Sequence, residues 1–418
     1  MDIKPDIEGF MHDRFGLFLH WGCYSQLGKG EWNMFFERTP AEEYAKLAAS
    51  FEPKSFDPRQ WARTAKEAGM RYMVLTARHH DGFCLFDSKV SDFTSVKCSP
   101  GHRDYVAEYV EACREFGLKA GLYYSEMDWR FPGYFNYKTD KASAEAMRRQ
   151  CHDQVLELMS SYGKIDILWY DGLWLAHDPG TDAVESPAFW RGKELNDRVR
   201  RLQPHIVINN RLGDPADFDT PEGAIRPPKD RTRPWECCKT MTHGWGYYGG
   251  PDVFARSSAG VIKDLIDCVS DNGNYLVNVG VTPDGRLPDS AVRTLHEVGA
   301  WLKINGESIY GAGSIDFQND HYAWTRKENI YYFHMYSYPL DGRKVFPLMD
   351  AKIKNISIPG SDRKLKVEYA SNHRIVISDL PSAPPLLPFL TLKIEFESPP
   401  MKISEDANNR AAWLVGMA

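Results

Sequence analysis

No Cys-x-x-C pair occurs anywhere in the 418 residues, although the chain carries eight cysteines. Their spacing is irregular, so neither a zinc site nor a disulfide framework is implied, and they read as reduced thiols. Adjacent Cys237 and Cys238 have no evident mechanism. No apolar run is long enough to span a bilayer. No basic segment followed by an apolar one opens the chain, so no signal peptide is visible and the expected location is cytoplasmic. The formal charge of -6 gives no reason to expect nucleic acid or an anionic membrane as partner. No Gly-x-Gly-x-x-Gly follows the first apolar segment, which counts against a dinucleotide fold. That segment carries only His20, not the His-x-His expected of a barrel metal-hydrolase.

What is abundant is hydrophobic and aromatic residues, at 43% and 13%, enough for a full core with aromatics to spare. They fall in a repeating pattern. Apolar segments at 15–21, 72–76, 120–124, 165–171, 206–208, 234–238 and 275–280 read as strands. Between them, helical periodicity occupies 56–69, 104–116, 142–162, 192–202 and 259–270, and a last helix follows at 289–305 with Asp289 placed to cap it. Gly69, Gly117 and Gly163 stand where three of these helices stop. Alternation repeated roughly seven times predicts an α/β fold with a parallel sheet, a TIM-like (β/α) barrel, regular or irregular, over residues 1–311. From 312 to 418 short strands separated by Gly, Pro, Asp and Asn predict an all-β sandwich.

Chemistry-bearing residues gather where the strands end. His20, His79, His80, Tyr123, Asp171 and Arg211 all follow apolar runs, at the rim where such barrels build active sites. In Ile165-Asp166-Ile167-Leu168-Trp169-Tyr170-Asp171-Gly172 the strand delivers one carboxylate to that rim. Two carboxylates facing one ligand are the equipment of glycosidic cleavage. Asp171 is the nucleophile candidate. Glu222, in the loop after Arg211, and Glu236, beside Trp235, compete for acid/base, each against the plainer reading of a solvated charge or salt bridge. Arg211 is a candidate partner of Asp171. His79 and His80 would bind neighbouring sugar hydroxyls, serve as packing, or join His20 at a metal. Trp32, Trp129, Trp235 and Trp245 could stack on a sugar, though packing is the commoner use. A metal-dependent barrel hydrolase and a non-catalytic sugar-binding protein are the alternatives.

A further set of motifs runs in order through about three quarters of the chain. They are Phe15-Gly16-Leu17-Phe18-Leu19-His20-Trp21-Gly22, Glu31-Trp32, Arg78-His79-His80-Asp81-Gly82-Phe83, Gly121-Leu122-Tyr123-Tyr124-Ser125 and Leu168-Trp169-Tyr170-Asp171-Gly172. Asn209-Asn210-Arg211, Trp235-Glu236, Trp245-Gly246-Tyr247, the segment 273–280 and Asn305-Gly306-Glu307-Ser308-Ile309-Tyr310 continue the series. Together they resemble the α-L-fucosidase family, glycoside hydrolase family 29. The resemblance implies a barrel followed by a β-sandwich, and retaining hydrolysis of α-L-fucosides on glycans without a cofactor or metal. It places Asp171 on the nucleophile and Glu222 on the acid/base, with Glu236 the rival because that residue varies in position across the family. His20, Glu31, Trp32, His79, His80 and Tyr123 fall on sugar-binding positions, Arg211 on a partner of the nucleophile, and Trp245 on the aromatic residue beside the C6 methyl. His243-Gly244 before Trp245, and Asp271, depart from the family pattern. The Asp-Phe-Asp-Thr-Pro-Glu form of the acid/base loop points to the group selective for α-1,3/1,4-branched fucose.

Overall fold

Seven parallel strands form the sheet that carries the rim: β1 (Phe15–His20), β2 (Tyr72–Arg78), β3 (Lys119–Ser125), β4 (Ile167–Asp171), β5 (Val207–Ile208), β6 (Glu236–Thr240) and β7 (Asn274–Gly280). They are seen in a computed structural model that describes residues 4–178, 180, 184–250, 255–315, 320–346, 349–370, 374–384 and 388–402. The order across the sheet is β5-β4-β3-β2-β1-β7-β6, every neighbour parallel. β1, β2 and β7 are buried along their whole length, as a sheet covered on both faces requires.

Helices Pro58–Glu67, Tyr105–Glu115, Lys141–Ser161, Gly192–Leu202 and Ser258–Ser270 supply the crossovers. The first three start on an aspartate whose side chain accepts from the first-turn backbone: Asp57 from Arg59 N, Asp104 from Ala107 N, Asp140 from Ser143 N. They stop near Gly69, Gly117 and Gly163, all at positive φ, where a side chain would be strained. Asp289 lies inside the first turn of Asp289–Asn305 rather than ahead of it.

The sheet curls into a barrel-like form, and β5 and β6 do not pair directly. The segment 217–223 spans the gap between them through backbone bonds. Asp217 N donates to Ile208 O at 2.9 Å on one side; Glu236 N donates to Asp219 O at 2.9 Å and Gly223 N to Cys238 O at 3.0 Å on the other. Inside, Phe18, Val74, Tyr123, Ile167, Trp169, Val207, Phe218, Cys238 and Leu276 pack into one core. Gly16 makes room on the floor of that core. A Cβ there would stand 2.2 Å from the Tyr72 ring, so only glycine lets Tyr72 lie across the barrel.

Two compact units divide the chain, one of Met1–Cys268 and Asn272–Leu302, the other of Val269–Asp271 and Lys303–Ala418. The second holds antiparallel sheets, as the sandwich expectation requires. Five strands run in the order Ile353–Ser357, Leu390–Phe396, Ile330–Met335, Tyr322–Lys327, Gly313–Ser314. Three more pair as Lys344–Val345, Arg374–Ser378, Lys366–Ala370. Trp324, Phe333, Phe346, Ile377 and Leu392 form the core of this unit.

Candidate active site

The C-terminal ends of the strands open on a pocket of ≈ 460 Å³ counting its mouth. Phe18, His20, Trp32, His79, His80, Tyr123, Trp169, Asp171, Trp174, Arg211, Glu222 and Trp245 line it. A cavity of this order in which polar groups converge between aromatic walls suits a small polar ligand.

Asp171 ends β4, and the structure fixes each of its oxygens. Arg211 Nη1 donates to Oδ1 at 2.7 Å and the Tyr123 hydroxyl to Oδ2 at 3.0 Å. His80 Nε2 stands 3.7 Å from Oδ2. The backbone is held too, since Asp171 N donates to Glu126 Oε2 at 2.9 Å. Burial first, and the Asp171 charge second, push the Glu126 carboxyl well above its ordinary range, which favours its neutral form behind the charged Asp171. Gly172 follows at φ 101°, and a Cβ there would meet Met127 at 2.8 Å and His80 at 3.2 Å. The residue after Asp171 must therefore be glycine if His80 is to reach the pocket.

Arg211 reaches both carboxylates of the mouth. Its Nη2 donates to Glu222 Oε2 at 2.9 Å while Nη1 serves Asp171. Thr220 fixes the fork through Nε at 2.8 Å and through its carbonyl at 3.0 Å. The guanidinium lies 4.6 Å over the Trp169 ring. Glu222 belongs to the segment that fills the gap between β5 and β6, so the fold itself brings the loop carboxylate opposite the strand-borne one.

Three histidines line the pocket in their neutral form. Burial pushes His20 down to about 3 and His79 and His80 well below the ordinary imidazole range. Asn278 sets the His20 tautomer. Its Nδ2 donates to Trp245 O at 2.7 Å, so its Oδ1 accepts from His20 Nδ1 at 2.7 Å. His20 Nε2 is left as an acceptor, suited to a ligand hydroxyl. His80 Nδ1 meets Ser125 Oγ at 2.6 Å, and Ser125 Oγ donates onward to Met127 O at 3.3 Å, which leaves His80 Nε2 in the same state. His79 and His80 both reach the pocket because β2 ends at Arg78, before strand alternation would send them apart. His79 stacks on Tyr123, centroids 5.5 Å apart and planes 7° apart.

Four of the sequence candidates, Glu31, Trp129, Trp235 and Glu236, stand outside the lining. Glu236 is the first residue of β6, at the floor of the barrel, where it accepts from Trp169 Nε1 at 3.1 Å and from the Tyr72 hydroxyl. Burial raises its pKa to about 7, against the lowering effect of the two donors. Glu31 is buried and accepts from Gly246 N at 2.6 Å, so it braces the loop that carries Trp245. Burial raises its pKa first, with the charges of Glu222 and Asp171 adding to it. Trp235 is a packing residue at 2% exposure. Phe18, Trp169, Trp174 and the supports Asn278, Ser125 and Glu126 were not singled out from sequence. Asn278 left a signal, a polar residue inside a strand that is otherwise apolar on both faces. Among the described residues no group of three or more His, Cys, Asp or Glu side chains is placed to hold a metal ion.

The alpha-L-fucosidase family model matches residues 2–307. The chain belongs to the α-L-fucosidase family. Human tissue α-L-fucosidase is 31% identical to it over 346 residues, covering 75% of this chain and 71% of that protein. Among solved structures, α-L-fucosidase isoenzyme 1 from Paenibacillus thiaminolyticus superposes with a TM-score of 0.85 at 32% identity, covering 94% of this chain and 99% of that one. The Thermotoga maritima α-fucosidase, solved with a mechanism-based inhibitor, gives 0.78 at 29% identity, covering 94% and 97%. This α-L-fucosidase family member thus carries a rim carboxylate, a loop carboxylate and neutral imidazoles around one pocket.

Proposed function

We propose that the chain is a retaining exo-α-L-fucosidase that releases terminal α-linked L-fucose from glycans, with Asp171 as nucleophile and Glu222 as acid/base. The observation that carries this assignment is the single Arg211 fork donating to Asp171 Oδ1 at 2.7 Å and Glu222 Oε2 at 2.9 Å across one pocket. In the first step an Asp171 oxygen attacks the anomeric carbon, and Glu222 gives its proton to the departing glycosidic oxygen. In the second, Glu222 takes a proton from water, which attacks the same carbon and breaks the Asp171 ester. Two inversions leave the configuration unchanged. His20 and His80 accept from sugar hydroxyls, and the apolar wall of Phe18 and Trp245 faces the methyl of fucose. Glu236, on the floor, supports Trp169 rather than the leaving group. The form of the 217–222 loop supports a preference for α-1,3/1,4 linkages, to be read from a hydrolysis screen over glycans of defined linkage.

Azide trapping tests the roles. Asp171→Ala should lower kcat by about a thousandfold or more, and added azide should yield the inverted β-fucosyl azide. Glu222→Ala should be rescued by azide to the retained α-fucosyl azide, and Glu236→Ala should not. Near-normal turnover of Asp171→Ala would remove it as nucleophile.

A further inference from the structure

An aromatic stack continues outward from the pocket wall to solvent. Trp32 lines the pocket, and Phe36 stacks on it with centroids 5.6 Å apart and planes 28° apart. Phe36 is 72% exposed. Beside it, Phe35 stacks on Phe135 at 6.4 Å and 12°, and Phe135 is 40% exposed. Exposed large aromatics that adjoin a binding pocket mark a contact surface more often than chance placement does.

The patch is braced from beneath. His177 sits 4.0 Å from the Phe35 ring and 5.3 Å from Trp32. Its two ring nitrogens face indole N–H groups, Trp129 Nε1 at 3.0 Å and Trp174 Nε1 at 3.1 Å. A neutral ring has one lone-pair nitrogen, so it accepts from one of these indoles and carries its proton on the other nitrogen; burial lowers its pKa to about 4. Ala176 and His177 both take positive φ, at 51° and 54°, to bring the imidazole there. The exposed rings are thus set on a fixed support rather than on a loose loop.

We propose that Phe36 and Phe135 form a platform for the sugar ring next to the fucose, the first residue of the leaving group. This rests on the fucosidase reading above and extends it to substrate choice. One observation selects the occupant. The platform is continuous, through Trp32, with the pocket that takes the fucose ring, so the next ring of the same glycan reaches it first. A pyranose presents a face of C–H bonds that packs on a benzene ring, and its hydroxyl edge stays in water.

The experiment compares Phe36→Ala, Phe135→Ala and the double variant on two substrates, a fucosylated oligosaccharide and α-L-fucosyl fluoride, whose leaving group has no ring. On the oligosaccharide kcat/KM should fall by about fivefold per ring, the size of one aromatic stacking contact. On the fluoride it should stay unchanged, and Phe36→Tyr should restore the oligosaccharide rate. Equal losses on both substrates, or no loss on either, would overturn the platform. Failure of the unaltered enzyme to turn over the fluoride would strike the fucosidase reading instead.

Discussion

Replacing Glu236 by Gln should flatten the pH dependence of stability, and the size of the effect can be worked from its surroundings. The carboxyl is wholly buried under Trp169 with two donors, Tyr72 and Trp169, and no cation pairs with it among the described residues. Its pKa rises from an ordinary 4.5 to about 7. At about 1.4 kcal/mol for each tenfold change in proton affinity, the folded chain binds this proton more tightly by about 3 kcal/mol. The sign follows. Below pH 4.5 folded and unfolded chains are both protonated here. Between 4.5 and about 7 only the folded chain keeps the proton, so each rise in pH removes stability. Above about 7 both forms are ionised and the contribution has gone. Glutamine is neutral throughout. Its carbonyl accepts from Trp169, and the Tyr72 hydroxyl turns to accept from the amide. Urea unfolding followed by tryptophan fluorescence at pH 5 and pH 8 gives two differences, one for each protein. The wild type should lose about 2 to 3 kcal/mol more than Glu236→Gln across that interval, because every other titrating group is common to both. Parallel losses would refute the placement of an uncompensated carboxyl on the barrel floor.

Two further outcomes follow from the pocket. Asn278→Ala frees both His20 Nδ1 and the Trp245 carbonyl, two walls at once, and should lower kcat/KM on fucosyl fluoride by about tenfold, the cost of roughly one buried hydrogen bond. An unchanged value would mean that neither wall depends on it. Arg211→Lys substitutes a point charge for a fork and cannot serve Asp171 and Glu222 together, so kcat should fall by about a hundredfold, as when one preorganised donor is lost. Activity close to the wild type in stopped assays would show that the shared guanidinium is dispensable.

Much of the barrel was written in plain view. β1, β4 and β5 are uninterrupted apolar runs up to their last residues, and three crossover helices are bracketed by an aspartate and a glycine, so both ends are marked. Asp171 was legible for the same reason, as a charge at the end of such a run and before a glycine. Residues held by long-range bonds were not. Glu126 is significant only because strand pairing sets its carboxyl against the Asp171 amide. The platform depends on a left-handed turn at Ala176 and His177 that no glycine announces. Glu236 looked like Glu222 in sequence, both beside a strand. The structure separates them, since Glu236 begins β6 at the floor while Glu222 leaves the seam at the mouth.

The seam at 217–223 also bears on how such a catalyst diversifies. Asp171 is locked into a regular ladder, and shifting it by one position would turn every side chain of its strand inside out. Glu222 rides on a stretch whose backbone forms isolated bridges rather than a ladder, held besides by side-chain bonds such as Arg211 to Thr220. Residues can be gained or lost along that stretch without disturbing the register of any other strand. On the proposed assignment the proton donor therefore rides on a stretch that tolerates changes in length, while the attacking group is anchored in the ladder.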